Sequence, residues 1–319
     1  MIRWAILALL VSWSVQVQVQ AQDFPSRQVT IVAPFPAGSI SDIIARIAAE
    51  RMAKSLGQAV VVENKPGLNG AIGAAQVAKA APDGYTLLLG TNGIMFINPL
   101  LFRNLPYDPK DLAPLALAAE VPAVLIARSG LEAKNLREVI ALAKQKPGAV
   151  SIASGQATAQ VATEALRESA GIQLNGIPYK GEPPGLTDVV GGRVDLMVLN
   201  LPIAYPQIKA GTVRAVALVG AAKVPSMPEI PLASESLAGF SLPNGWTGFF
   251  APAGTPAAIR ARLAKEILAA LEAPESRQRI EASVGTLVSL ENPEQLAARI
   301  QRESAAWAKL IKAAKVDLQ

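Results

Sequence analysis

A strand that runs into two prolines, a glycine and a helix start is the feature that most restricts what this chain can become. Val29-Thr30-Ile31-Val32-Ala33 is short and rich in β-branched residues, as a buried strand is. Pro34 and Pro36 end it, because neither can donate to a sheet ladder. Gly38 then permits a turn, and Ser39 with Asp42 three residues later fits a capping box. Ile40, Ile44 and Ile47 give the following helix an apolar stripe, and Gly57 suits the position just past its end. Such a junction leaves backbone N–H groups unpaired at the carboxyl end of the strand. Those donors and the positive end of the helix dipole attract anions. An ordinary βα turn has the same pattern, so this stretch alone leaves both readings open.

Residues 1–21 stand apart from this fold. Met1-Ile2-Arg3 is a positive start, Trp4 to Val15 is almost wholly apolar, and Val19-Gln20-Ala21 offers small residues where a signal peptidase reads. Cleavage after Ala21 and export are expected. The apolar run is too short to span a bilayer. No later stretch is long and apolar enough either: 51% of residues are hydrophobic, but many of them are alanine. A chain of 319 residues has room for two ordinary domains. The net charge of +5, one unit of it from Arg3, is mild and scattered, with no aromatic-plus-basic stripe, which argues against nucleic acid. With no cysteine, an exported protein must hold together by core burial alone.

Beyond the first helix, Val60 to Asn64 reads as a strand, Ala71 to Ala81 as a short helix, and Tyr85 to Leu89 as a third strand. This alternation predicts a parallel sheet with helices on its faces. A region punctuated by Pro99, Pro106, Pro109, Pro114 and Pro122 predicts a crossing between domains, after which Ala123 to Ala127 restarts the pattern. Val150 to Ser154, a glycine turn at Gly155 and a helix ending at Gly171 repeat the opening arrangement. Gly245 to Pro252 reads as the return crossing, and the remainder as helical. The last helix is capped by Asn292, followed by Pro293, and its core face carries Leu296, Ile300, Trp307, Leu310 and Ile311. The expected fold is α/β with two lobes: residues 22–122 and 242–319 form one, residues 123–241 the other. Strand ends and helix N-termini would meet in the cleft between them.

The chemical inventory excludes much. With no histidine and no cysteine, a histidine-containing triad, a cysteine nucleophile and an ordinary zinc site are impossible. Neither a Ser-x-x-Lys pair, a phosphate loop nor a Gly-x-Ser-x-Gly elbow occurs. Gly67-Leu68-Asn69-Gly70-Ala71-Ile72-Gly73 has the wrong glycine spacing for a dinucleotide fingerprint. A carboxylate pair for glycoside chemistry stays open among the 25 acids, though no local pattern points to one. The inventory favours a binder, without metal or cofactor, over a catalyst.

Several segments together resemble the solute-binding receptors of tripartite tricarboxylate transport systems, the Bug family. They are Pro34-Phe35-Pro36-Ala37-Gly38 with Asp42, Val62-Glu63-Asn64-Lys65-Pro66-Gly67, Ala81-Pro82-Asp83-Gly84-Tyr85-Thr86-Leu87, Leu105-Pro106-Tyr107-Asp108-Pro109, Pro178-Tyr179-Lys180-Gly181, and Phe250-Ala251-Pro252-Ala253-Gly254-Thr255-Pro256. The resemblance spans the chain after the leader and implies a periplasmic binding protein of type II. Such a receptor is monomeric, closes two lobes over a small carboxylate, and delivers it to a membrane permease. Ligand contacts carried over residue by residue are Phe35, Ala37, Gly38, Ser39, Asp42, Gly67, Thr91 and Asn92 in the first lobe. Ser154, Gly155, Thr158, Lys180, Gly181 and Asn200 are those of the second. A sensor in place of the permease and an exported hydrolase are the alternatives.

Three departures from the family pattern bear on specificity. Ser39 stands where a second glycine is usual, and the loop Gly155-Gln156-Ala157-Thr158-Ala159-Gln160 lacks the usual histidine. Leu199-Asn200 stands where Asp-Asn is frequent. A ligand ammonium facing leucine would lose its partner at a cost of about 1–3 kcal/mol. The resemblance therefore implies an acid with an uncharged tail, in preference to an amino acid.

Overall fold

The computed structural model describes residues 24–220, 223–224, 227–284 and 288–313. The leader expected at 1–21 lies outside them. In chain order the elements are β1 (Val29–Ala33), α1 (Ile40–Leu56), β2 (Val60–Asn64), α2 (Ala71–Ala78), β3 (Thr86–Thr91), α3 (Asn98–Leu101) and β4 (Leu112–Val121). There follow β5 (Ala123–Arg128), α4 (Leu136–Gln145), β6 (Ser151–Ser154), α5 (Ala157–Ala170), β7 (Asn175–Pro178), α6 (Glu182–Val190), β8 (Leu196–Asn200), α7 (Leu201–Lys209) and β9 (Val213–Leu218). The chain closes with β10 (Gly245–Pro252), α8 (Ala257–Glu272), α9 (Pro274–Val284) and α10 (Pro293–Ala313).

Two five-stranded sheets result, ordered β2-β1-β3-β10-β4 and β7-β6-β8-β5-β9. Their plans correspond strand for strand. Each has three parallel strands built from consecutive βα units, and each receives its fourth strand from across a crossing. That fourth strand runs antiparallel to both neighbours. The parallel pairing expected from the opening alternation holds for β1, β2 and β3, and the fourth strand makes each sheet mixed. In each sheet the antiparallel strand is the one that enters from the other sheet, β10 after β9 and β5 after β4, and not from a βα unit of its own sheet.

The proline-rich region also needs correcting, because its second half is the ten-residue strand β4. Pro114 is tolerated there because β4 is an edge strand, with a register irregularity opposite Phe249 and Phe250. Gly245 to Pro252, read as a crossing, is a full strand in the middle of the first sheet. The third strand runs on through Gly90 and Thr91, since a bare Gly90 pairs with Gly248 and lies against the Phe250 ring. The helix expected to reach Ala81 stops at Ala78.

Packing follows the period-two alternation of the strands. Ile31, Leu87, Leu89 and Phe249 face a cluster shared with Ile44, Ile47 and Met52 of α1 and Leu263 and Ile267 of α8. Val32, Leu88 and Phe250 face the opposite cluster, with Ala74 of α2 and Leu296, Trp307 and Ile311 of α10. That second cluster also takes in Ala157 and Val161 of α5, so α10 buries residues belonging to both sheets' surroundings. Asn292 caps α10 as expected, its side chain accepting from the Gln295 N–H at 2.9 Å.

Candidate functional site

The opening junction forms as its sequence dictates, with one change. Ser39 is the N-cap of α1 and its side chain accepts from the Asp42 N–H at 3.4 Å. The return arm of the capping box is displaced: the Asp42 carboxylate accepts from the Gly38 N–H at 3.0 Å instead of from Ser39. Gly38 makes this turn with φ of 81°, a conformation that glycine adopts without strain. At the equivalent place in the second sheet, Gln156 is the N-cap of α5 and gives it no side-chain hydrogen bond. In both helices the first-turn N–H groups have no preceding helical carbonyl to donate to.

The two helix starts open on one narrow hollow. Phe35, Ser39, Thr91 and Asn92 line it from the first sheet, and Gln156, Thr158 and Asn200 from the second. Gly245 and Trp246, at the start of β10, lie beside them. Asn92 is buried, and its side-chain NH₂ finds no acceptor among the described residues. A buried amide donor without a partner is uncommon in a folded protein.

Of the other expected residues, Gly67, Gly155, Lys180 and Gly181 line an adjoining, more open hollow of about 310 Å³, and Phe35 belongs to both. Ala37 and Gly38 line a third hollow, between α1 on one side and α6 and α7 on the other. Asp42 and Ser154 line none of the three. Asp42 is engaged within its own unit, accepting from Arg46 Nε at 3.0 Å and Asn64 Nδ2 at 2.9 Å. Burial alone would raise its pKa, but the hydrogen bonds from Arg46, Gly38 and Asn64 and the charge of Arg46 hold it below the ordinary value. The Ser154 carbonyl accepts from the Tyr179 N–H at 2.9 Å.

The junction between the two units is tight. A Cβ added to Gly155 would lie 2.5 Å from the Gly181 carbonyl, and one on Gly181 would lie 3.0 Å from the Pro36 ring. The three turns touch in series, so each glycine is a point of close approach.

Glu182 was not singled out from the sequence. It opens α6, is 3% exposed, and accepts from Asn200 N at 2.7 Å and Asn200 Nδ2 at 3.1 Å. Burial pushes its pKa up to about 7, against the pull of hydrogen bonds from Asn200 and the Gln156 side chain. No lysine or arginine pairs with it among the described residues. The available signal was an acid at a helix start within Lys180-Gly181-Glu182-Pro183, directly after two residues already chosen.

Behind the site, Arg299 of α10 binds Glu120 at 2.9 Å, Glu291 at 2.6 Å and Glu303 at 3.0 Å. Trp246 donates its indole N–H to Glu303 at 2.8 Å. The charge network therefore pins the two crossing strands β4 and β10 to the last helix. Among the described residues no helix is long and apolar enough to cross a membrane.

Residues 44–316 match the model of the tripartite tricarboxylate transporter family receptor. The chain belongs to this family. The receptor is 33% identical over 298 residues to protein BugT of Bordetella pertussis, covering 92% of this chain and 91% of that one. Among solved structures it is similar to Rpa4515 of R. palustris with adipate, at 32% identity and a TM-score of 0.89, over 93% of this chain and all of that one. It is also similar to MatC (Rpa3494) from Rhodopseudomonas palustris with bound malate, at 34% identity and a TM-score of 0.83, over 90% of this chain and all of that one. The receptor's two mixed α/β sheets accordingly form a two-lobed binding-protein fold.

Proposed function

We propose that this receptor captures a small carboxylate-bearing solute in the hollow where the two sheets' units meet. One lobe, 22–122 with 242–319, closes on the other, 123–241. The observation that carries this reading is the convergence of the α1 and α5 starts on a single hollow, flanked by the unpartnered Asn92 amide donor. Each helix end favours an anion by about 0.3–1 kcal/mol, and by more where it is partly buried. The nearest acid of α1, Asp42, is already neutralised by Arg46, so it does not oppose the ligand. The adipate and malate of the two solved relatives are both carboxylates, which supports the same class here.

Leu199 is buried at the end of β8 and supplies no charge for a ligand ammonium. An acid with an uncharged tail is favoured over an amino acid on that ground. The receptor acts in the periplasm after losing its leader near Ala21, as a monomer, and hands its ligand to a membrane permease. Ligand drives closure only by binding the closed form better than the open one. Mass spectrometry of the small molecules released from the purified protein by mild denaturation tests the reading. A carboxylic acid is expected; release of a sugar or a nucleoside instead, with no carboxylate binding by calorimetry, would refute it.

A further inference from the structure

The hollow at the helix starts continues past Asn200. A second chamber adjoins it and shares Thr158, Asn200 and Gly245 with it. Ala123, Ala162, Val198 and Leu242 make its walls largely apolar, and Glu182 and Trp307 also line it. Glu182 is held there by the neutral donors of Asn200 and Gln156 and has no cation to balance it among the described residues. Trp307 reaches this place from α10. Its ring is 2% exposed, and its indole N–H has no acceptor among the described residues. A buried indole N–H ordinarily finds a partner, as that of Trp246 does in Glu303.

A chamber that offers an acceptor at Glu182 and is walled by a tryptophan whose N–H has no acceptor among the described residues is selective by exclusion. A methyl end would leave the Trp307 N–H unpaired. A second carboxylate would accept from Trp307 but, once Glu182 is ionised, would meet its carboxylate in a medium that screens charge poorly. An ammonium would suit Glu182 but would face a donor at Trp307, to which it can offer no lone pair. A hydroxyl or a carboxamide donates to the first and accepts from the second.

We infer that this chamber is a second subsite for the same ligand, and that the ligand is a monocarboxylate whose far end is an uncharged group able both to donate and to accept a hydrogen bond. The carboxylate lies at the starts of α1 and α5, and the far end lies with Glu182 and Trp307. This inference rests on the carboxylate reading above and narrows it, because it sets this receptor apart from relatives that hold diacids.

Calorimetric titration of the full chain without its leader, at a pH well above 7 so that Glu182 is ionised, tests it. The probes are unbranched acids of four, six and eight carbons, each ending in methyl, hydroxyl, carboxamide or carboxylate. At the chain length that fits, the hydroxyl- or carboxamide-ended acid is expected to bind about tenfold tighter than the methyl-ended one, with the diacid weakest. Glu182→Gln keeps the size and removes the charge, and should raise diacid affinity relative to the methyl-ended acid by about tenfold. Trp307→Phe keeps a ring and removes the N–H, and should abolish the advantage of the hydroxyl or carboxamide. Equal binding of methyl- and hydroxyl-ended acids, or a diacid as tight in the unaltered protein as in Glu182→Gln, overturns the inference and leaves the carboxylate reading intact. If none of the acids binds, the carboxylate reading falls and takes the inference with it. Should Trp307→Phe fail to fold, the Glu182→Gln comparison decides alone.

Discussion

Two glycines of the site are fixed for different reasons, and substitution separates them. Gly155 has a φ outside the left-handed region but no room, since an added Cβ lies 2.5 Å from backbone atoms of Gly181 that cannot swing aside. Gly38 has room but a φ of 81°, with nothing within 4 Å of an added Cβ. Gly155→Ala should therefore push the start of α5 away from that of α6, costing about 1–3 kcal/mol and weakening ligand binding. Gly38→Ala should cost only the left-handed strain, about 1–2 kcal/mol. Denaturant unfolding and ligand titration of the two variants side by side would read this difference. Glu182 makes a pH prediction. Its folded-state pKa, about 7, lies above its ordinary 4.5, so between those values the folded state holds a proton that the unfolded state has released. Its contribution to stability is then most favourable below about pH 4.5 and declines as pH rises towards 7, by up to ~3 kcal/mol in all. The stability of the parent relative to Glu182→Gln, followed across that window, should fall with rising pH and then level off.

At the level of elements, α10 matters more than its place at the end of the chain suggests. It packs against the first sheet through Leu296 and Trp307, contacts α5, and carries Arg299 into the bonds with Glu120, Glu291 and Glu303. Arg299 is 15% exposed, so its removal leaves Glu291 and Glu303 poorly solvated and without that cation. Arg299→Ala should destabilise the protein by about 3 kcal/mol, more than truncating an exposed arginine such as Arg27. Thermal unfolding measured at low and high salt would show whether the loss is as insensitive to screening as a part-buried network requires.

Across the whole molecule, the two sheets repeat one strand order, each completed by a strand from the other side of a crossing. That interlock makes the crossings at Pro122 and before Gly245 parts of sheet ladders rather than loose tethers. Movement of one lobe against the other would then be a rotation of largely rigid bodies about two short segments. A carboxylate that fits should raise the unfolding midpoint in proportion to the logarithm of its concentration, contributing about 2.7 kcal/mol at one hundred times its Kd. It should also reduce the radius of gyration in solution scattering. A ligand that stabilises the protein with no change in radius would argue against closure.

Local pattern was enough to read the first strand, the caps at Ser39, Gly57, Gly171 and Asn292, the apolar stripe of α1 and the core face of α10. Each is set within a few residues, by periodicity and by what a proline, glycine or serine allows. The absence of histidine and cysteine likewise excluded whole classes of chemistry before any fold was known. Only the tertiary structure made strands of β4 and β10, because alanine, proline and glycine carry weak strand preference and their ladders close with partners far along the chain. It alone buried Glu182 under Asn200 and Gln156, and brought Trp307 to the wall of the same chamber. A residue's own neighbours set its backbone; its dielectric and its unpaired atoms are set by segments that reach it from elsewhere.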